Sequence, residues 1–240
     1  PDFGPTRVIM LSDISIREDG QFIPLDSGGE LGTLFGREGN MLLVNGKLNP
    51  TLNVQTSSRQ RWRVINAARS RYFELRFDGH DFHYIGGDNG LAAESIVVRR
   101  PIIVPGQRSD LVVTLVGTPG AESQLDWIPT DRGFGSTYNR YPEPLFKVLF
   151  DASPREELPP MPAVSREIEL IDTSDAVEIE LELTVSQTNG RTLMGINDVP
   201  YSEVVPLMAQ LGESQIWRLV NRSAFAHPFH IHGYYFQVLD

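Results

Sequence analysis

Three of the chain's five histidines stand within six positions in "FAHPFHIHG": His227, His230 and His232. Neutral imidazole ligates copper, zinc, iron and nickel. On an extended chain, residues two apart share a face and sit roughly 6.5–7 Å apart. His230 and His232 are therefore expected to point the same way, with Phe229 and Ile231 facing the other side. Two nearby ions, one per ring, suit that spacing better than one ion chelated by both. His227 has the opposite parity and precedes Pro228, which bends the chain and removes a backbone donor. It is expected to reach a different site. His80 and His83, in "DGHDFHY", are three apart and face opposite ways on a strand. They read as structural or surface residues.

Strands must position these side chains. "TRVIMLSDI" (6–14), "RWRVIN" (61–66), "SIVVRRPIIV" (95–104), "SDLVVTLV" (109–116) and "PLFKVLF" (144–150) are rich in Val, Ile and Phe, with Gly, Pro, Asn and Asp between them. "VEIELELTV" (177–185) alternates acidic and aliphatic residues and reads as a strand with one wet face. No long amphipathic helix is evident; "SEVVPLMAQLG" (202–212) could hold one short helical turn, interrupted by Pro206. Short strands separated by turn residues predict an all-β protein built of sandwiches. "DASPREELPPMPAV" (151–164), with four prolines, reads as a semi-rigid spacer. It divides the chain into 1–150 and 165–240.

The two parts repeat a pattern. Asn45 matches Asn197, "WRVIN" (62–66) matches "WRLVN" (217–221), and Gly79-x-x-Phe82 matches Gly233-x-x-Phe236. The order is kept and the separation barely changes, which marks a duplicated sandwich domain. A sandwich of immunoglobulin type takes about 100 residues, more than the second copy has, so that copy reads as truncated. The duplication is also an internal control. It places Phe73, Arg76 and Asp78 where the second copy has His227, His230 and His232. Phe cannot ligate, and the permanent charge of Arg repels a cation. The scaffold does not require the histidines, so they point to chemistry rather than packing.

Composition narrows the function classes. Acidic residues outnumber basic ones by 31 to 21, which disfavours a nucleic-acid partner. The densest basic run, "RQRWRVINAARSR" (59–71), alternates with apolar residues and reads as the solvated face of a strand. No apolar run approaches the roughly 18 residues of a membrane span. There is no cysteine, so neither a disulfide nor a thiolate ligand is available. "NRS" (221–223) fits a glycosylation sequon and reads as a chance match.

"HPFHIHG", preceded by "WRLVN", resembles the third ligand motif of the multicopper oxidases, the family of laccases and bacterial cuprous oxidases. The first copy, with "VNGKLNPTLNVQ", "RWRVINAA" and "VVRRPIIVPGQRSDLVV", is similar to the copper-free middle cupredoxin domain of three-domain members. The resemblance covers essentially the whole chain. It implies tandem cupredoxin-like Greek-key β-sandwiches, the second incomplete. It further implies that His227 ligates a type 1 copper, His230 a type 2 copper and His232 one copper of a type 3 pair. The implied activity couples one-electron oxidation of a small-molecule or metal-ion reductant to reduction of O2 to water. The family places the type 1 cysteine, another histidine and paired His-x-His motifs in segments before Pro1 and after Asp240. The chain is thus expected to be an inert piece of a larger enzyme. Export to the periplasm or cell exterior is implied too, although the chain carries no signal peptide.

Two other readings stand beside this one. Some relatives keep the scaffold as non-enzymatic envelope proteins, which have no use for the histidine triplet. A mononuclear zinc or copper protein would take up metal tightly with this chain alone. The five methionines are scattered, so the sequence does not reveal the reductant.

Overall fold

The computed structural model describes all residues except 1, 25, 26, 28, 30, 31, 33–35, 134–140, 152–157, 159, 162–165 and 240. Most of the expected spacer at 151–164 thus lies outside the described residues. The chain separates into two compact units. One comprises 1–131 and 136–168, the other 132–135 and 169–240.

The first unit is a two-sheet β-sandwich. Its six-stranded sheet contains β1 (Thr6–Ile14), β2 (Met41–Val44), β4 (Ser58–Asn66), β6 (Phe82–Gly87), β7 (Gly90–Val98) and β9 (Arg108–Leu115), in the order β2-β1-β4-β9-β6-β7. Its five-stranded sheet contains β3 (Thr51–Val54), β5 (Phe73–Phe77), β8 (Ile102–Ile103), β10 (Glu122–Ile128) and β11 (Glu143–Phe150), in the order β3-β11-β10-β5-β8. Alternation along the strands fills the space between the sheets. Gln60, Trp62, Val64 and Asn66 of β4 are buried, as are Phe73, Leu75 and Phe77 of β5. Trp62 meets Phe77, Phe82 and Phe146 at ring-centroid distances of 5.6 to 6.3 Å.

Two expectations need correction. Residues 95–104 are not one strand: β7 ends at Val98 and β8 begins at Ile102, in the other sheet. Pro101, which has no N–H to give a ladder, sits at the crossing. The basic run 59–71 is not wholly solvated either. Arg61 and Arg63 pair with Asp110 on β9. Arg71 is buried, bonded to Asp13 at 2.9 Å, close to Glu38, and stacked 4.1 Å over the Trp127 ring. Two carboxylates and an indole face compensate a guanidinium taken out of water.

The second unit has one four-stranded sheet, ordered β14-β13-β12-β15. Its strands are β12 (Val177–Thr188), β13 (Arg191–Ile196), β14 (Val199–Pro200) and β15 (Gln215–Asn221). A 3-10 turn at Tyr201–Glu203 takes the place of the helical turn expected over 202–212. Among the described residues of β12 only Leu181 and Thr184 are buried. This unit forms no second sheet among the described residues. No described helix is long and apolar enough to cross a membrane.

The duplication appears in the hydrogen bonds. β1 pairs antiparallel with β2 and parallel with β4; β12 pairs antiparallel with β13 and parallel with β15. Asn45 exchanges its backbone N–H and side-chain oxygen with Met10, and Asn197 does the same with Glu182. Both asparagines have positive φ, 50° and 54°, which this residue type tolerates. Trp62 donates to Gln60 and Trp217 to Gln215, each two residues back. The asparagines that end β4 and β15 correspond too. Asn66 accepts from the N–H of Ala68, and Asn221 from that of Ser223.

Asn66 is buried, and its amide also donates to the carbonyls of Arg71 and Ile103, both at 2.8 Å. Replacing it by Ala leaves these carbonyls without that donor in an apolar interior. At about 1–3 kcal/mol per orphaned group, Asn66→Ala should lower the stability of the first unit by about 2–6 kcal/mol. Urea melts of the two chains measure this, and a change under 1 kcal/mol would contradict the assignment.

Candidate metal centre

The residues after β15 carry the histidines. They contain no strand among the described residues, contrary to the expectation of an extended ladder. The reason is pairing. In the first unit the corresponding β5 is held by β8 on one side and β10 on the other. Among the described residues no strand pairs with the histidine segment. The segment is fixed by side chains instead.

Three attachments hold it. At its start, Asn221 Nδ2 donates to the carbonyl of Phe225 at 2.6 Å and Asn221 Oδ1 accepts from Ser223. This ties up the amide of the sequon. In the middle, Phe229 packs edge-on against Trp217 of β15 and against Phe236, at centroid distances of 6.3 and 5.8 Å. At its end, Gln237 accepts from the N–H of Ile171 and donates to the carbonyl of Glu169. Residues 132–135 belong to this unit as well. Arg132 accepts from the N–H of Ala226, and a Cβ on Gly133 would overlap the Ala224 carbonyl.

The alternation expected of a strand survives without the ladder. Phe229 and Ile231 are half-buried, while His230 and His232 are exposed. The His230 and His232 rings lie 4.6 Å apart, nearly perpendicular at 82°. His227 has the other parity, is half-buried, and has its Nε2 2.9 Å from Ser223 Oγ. The structure therefore brings His230 and His232 together and leaves His227 on a separate contact. Among the described residues no three His, Asp or Glu side chains gather as a metal-binding group. Two imidazoles side by side and a third apart suit copper or zinc in donor chemistry, but they form an incomplete ligand set.

The sister positions show what the same scaffold does otherwise. Phe73 is fully buried where His227 stands. Arg76 and Asp78, at the places of His230 and His232, form an ion pair at 3.8 Å, and Arg76 also reaches Asp126 at 2.6 Å. The hydrogen bond that Arg76 donates to Asp126 is the main reason that its guanidinium is held above its ordinary pKa. That position is thus a fixed cation.

His80 lies in the turn between β5 and β6 rather than on a strand. Its ring stacks on Phe77 at 3.9 Å, and its nitrogens meet the carbonyls of Asp78 and Val116, each at 3.1 Å. This is a packing role. His83 sits on β6 opposite Val97 and Val112. Sequence proximity brings Asn221 and Ser223 near the histidines without assigning either a role, because a four-residue separation does not reveal the turn that sets Ser223 against His227.

Comparison with known proteins gives the family. Two family profiles, both described as multicopper oxidase, match residues 6–121 and 172–240. A laccase of Bacillus subtilis is 31% identical over 215 residues, 84% of this chain and 40% of its own length. The multicopper oxidase LPR1 of Arabidopsis thaliana is 26% identical over 244 residues, 98% of this chain and 42% of its own. The chain thus spans well under half the length of these relatives. Among solved structures, the McoA multicopper oxidase of Aquifex aeolicus superposes with a TM-score of 0.79 at 20% identity, covering 100% of this chain and 53% of that one. That likeness establishes the fold. With profiles matched across both copies, this chain belongs to the multicopper oxidase family.

Proposed function

We propose that the chain is the copper-free middle domain (1–150), a spacer (151–164) and part of the copper-ligating domain (165–240) of a three-domain oxidase. In this reading His227 ligates the type 1 copper, His230 the type 2 copper and His232 one member of the type 3 pair. The single observation that carries it is the exposed His230–His232 pair, 4.6 Å apart, where the sister copy has an Arg–Asp pair. When bound, copper supplies one-electron oxidation of a small-molecule or metal-ion reductant and four-electron reduction of O2 to water.

The chain's own residues do the positioning. The Trp217–Phe229–Phe236 cluster and Gln237 fix the backbone so that His230 and His232 point outward together. Outward rings leave room for imidazoles from other segments to complete each coordination sphere. His227, on the other parity, serves a centre apart from that pair. The sequence has no cysteine, so the type 1 thiolate and the remaining imidazoles come from other parts of a longer polypeptide. The 240-residue chain alone is inert as an oxidase in this reading, and export to the periplasm or cell exterior belongs to the same proposal.

Two outcomes are expected. Substoichiometric Cu²⁺ added to the 240-residue chain should broaden the His230 and His232 ring resonances together and spare His80, whose nitrogens face backbone carbonyls. Broadening centred on His80 would contradict the assignment. The complete copper-loaded polypeptide should be blue. His227→Ala should remove the blue absorption without unfolding the protein, and a variant that stays blue would refute the type 1 role.

A further inference from the structure

The hydrogen bonds around His227 assign one more role. We infer that Ser223, held by Asn221, is a positioning residue that fixes His227 as the Nε2–H tautomer and leaves Nδ1 as the ring's free lone pair. The tautomer itself follows from this chain's geometry; only its use, presenting Nδ1 to a metal, rests on the proposed ligand role of His227.

The proton inventory around Ser223 Oγ decides the tautomer. Ser223 Oγ has one proton and four neighbours: Asn221 Oδ1 at 2.8 Å, His227 Nε2 at 2.9 Å, the Phe225 N–H at 3.1 Å and the Phe225 carbonyl at 3.3 Å. The Phe225 N–H can only donate, so it uses a lone pair of the hydroxyl. Asn221 Oδ1 can only accept. The amide cannot be turned round, because its Nδ2 donates to the Phe225 carbonyl and its Oδ1 accepts the Ser223 N–H. A flip would set NH2 against N–H and oxygen against oxygen. The hydroxyl proton therefore goes to Asn221 Oδ1. Sending it to His227 instead would leave two bare acceptor oxygens 2.8 Å apart. The remaining lone pair of Ser223 Oγ faces His227 Nε2, which must donate. In the neutral ring, Nδ1 then carries the lone pair.

The duplicated copy supports the reading. Asn66 keeps the bond to the N–H two residues on, but that residue is Ala68, without a hydroxyl, and Phe73 replaces the imidazole. Asparagine serves the turn in both copies, whereas serine and histidine occur together in one. A ring on the inward parity needs a partner for its polar atom, and the chosen partner determines which nitrogen stays available, a use of outer hydrogen bonds general to histidine ligands.

Long-range ¹H–¹⁵N correlation spectra of the metal-free, histidine-labelled 240-residue chain test this at about pH 8, above the ordinary imidazole range near 6.5. The His227 cross-peaks should show the Nε2–H pattern. Ser223→Ala should convert them to those of a mixed-tautomer ring while His80 is unchanged, and Ser223→Thr should restore the pure pattern. An Nδ1–H pattern in the unaltered chain overturns the inference with no variant needed, as does an Ser223→Ala chain that folds and keeps the pure pattern. The ligand reading fails separately. If the complete protein stays blue in His227→Ala while the tautomer holds, the proposed type 1 role is lost and the Ser223 assignment stands.

Discussion

Everything built on the second copy depends on an asparagine that closes a strand. Asn66 and Asn221 end the strands that run parallel to the first strand of their units, and each turns its side-chain oxygen onto the N–H two residues ahead. A strand stopped this way must leave the sheet at a set point and in a set direction. In the first unit the turn leads into β5, deep in a completed sandwich. In the second it leads into the histidine segment, where no ladder bond is available among the described residues. There the Asn221 amide, the aromatic cluster and Gln237 do the work of neighbouring strands.

The duplication separates what the scaffold needs from what was added to it. Inward positions keep their character: Leu75 and Phe229 are both apolar, Leu75 buried and Phe229 packed against Trp217. Outward positions are free to change. One copy spends them on Arg76 and Asp78, which pair with each other and with Asp126. The other presents two imidazoles. Changing an outward pair leaves the core untouched, so such a pair can be exchanged on this fold at little cost in stability. His227 is the exception. It takes an inward position that Phe73 fills in the sister copy, and Ser223 accompanies it.

Much of this was legible in residue order. The strand over 6–14, the matched Asn and Trp-Arg-x-x-Asn motifs, and the parity separating His227 from His230 and His232 all depend on local periodicity, which sequence displays directly. The histidine "strand" was not, because a strand is a statement about partners, and partners lie far away in sequence. Arg71 was misread for a similar reason. Its run of basic neighbours looked solvated, yet Asp13, Glu38 and the Trp127 face converge on it from distant segments. Ser223 lies near His227 in sequence, but spacing alone does not assign it a partner, since it does not specify how a short turn brings residues together.

The central claim is that copper belongs to three histidines on one copy and to nothing on its twin. Anomalous diffraction at the copper edge, from crystals of the copper-loaded complete polypeptide, tests it directly. The account predicts one peak at His227 Nδ1, separate peaks at His230 and His232, and none beside Phe73, Arg76 or Asp78. Peaks confined to other residues, with all three of these imidazoles bare in a fully loaded protein, would contradict it.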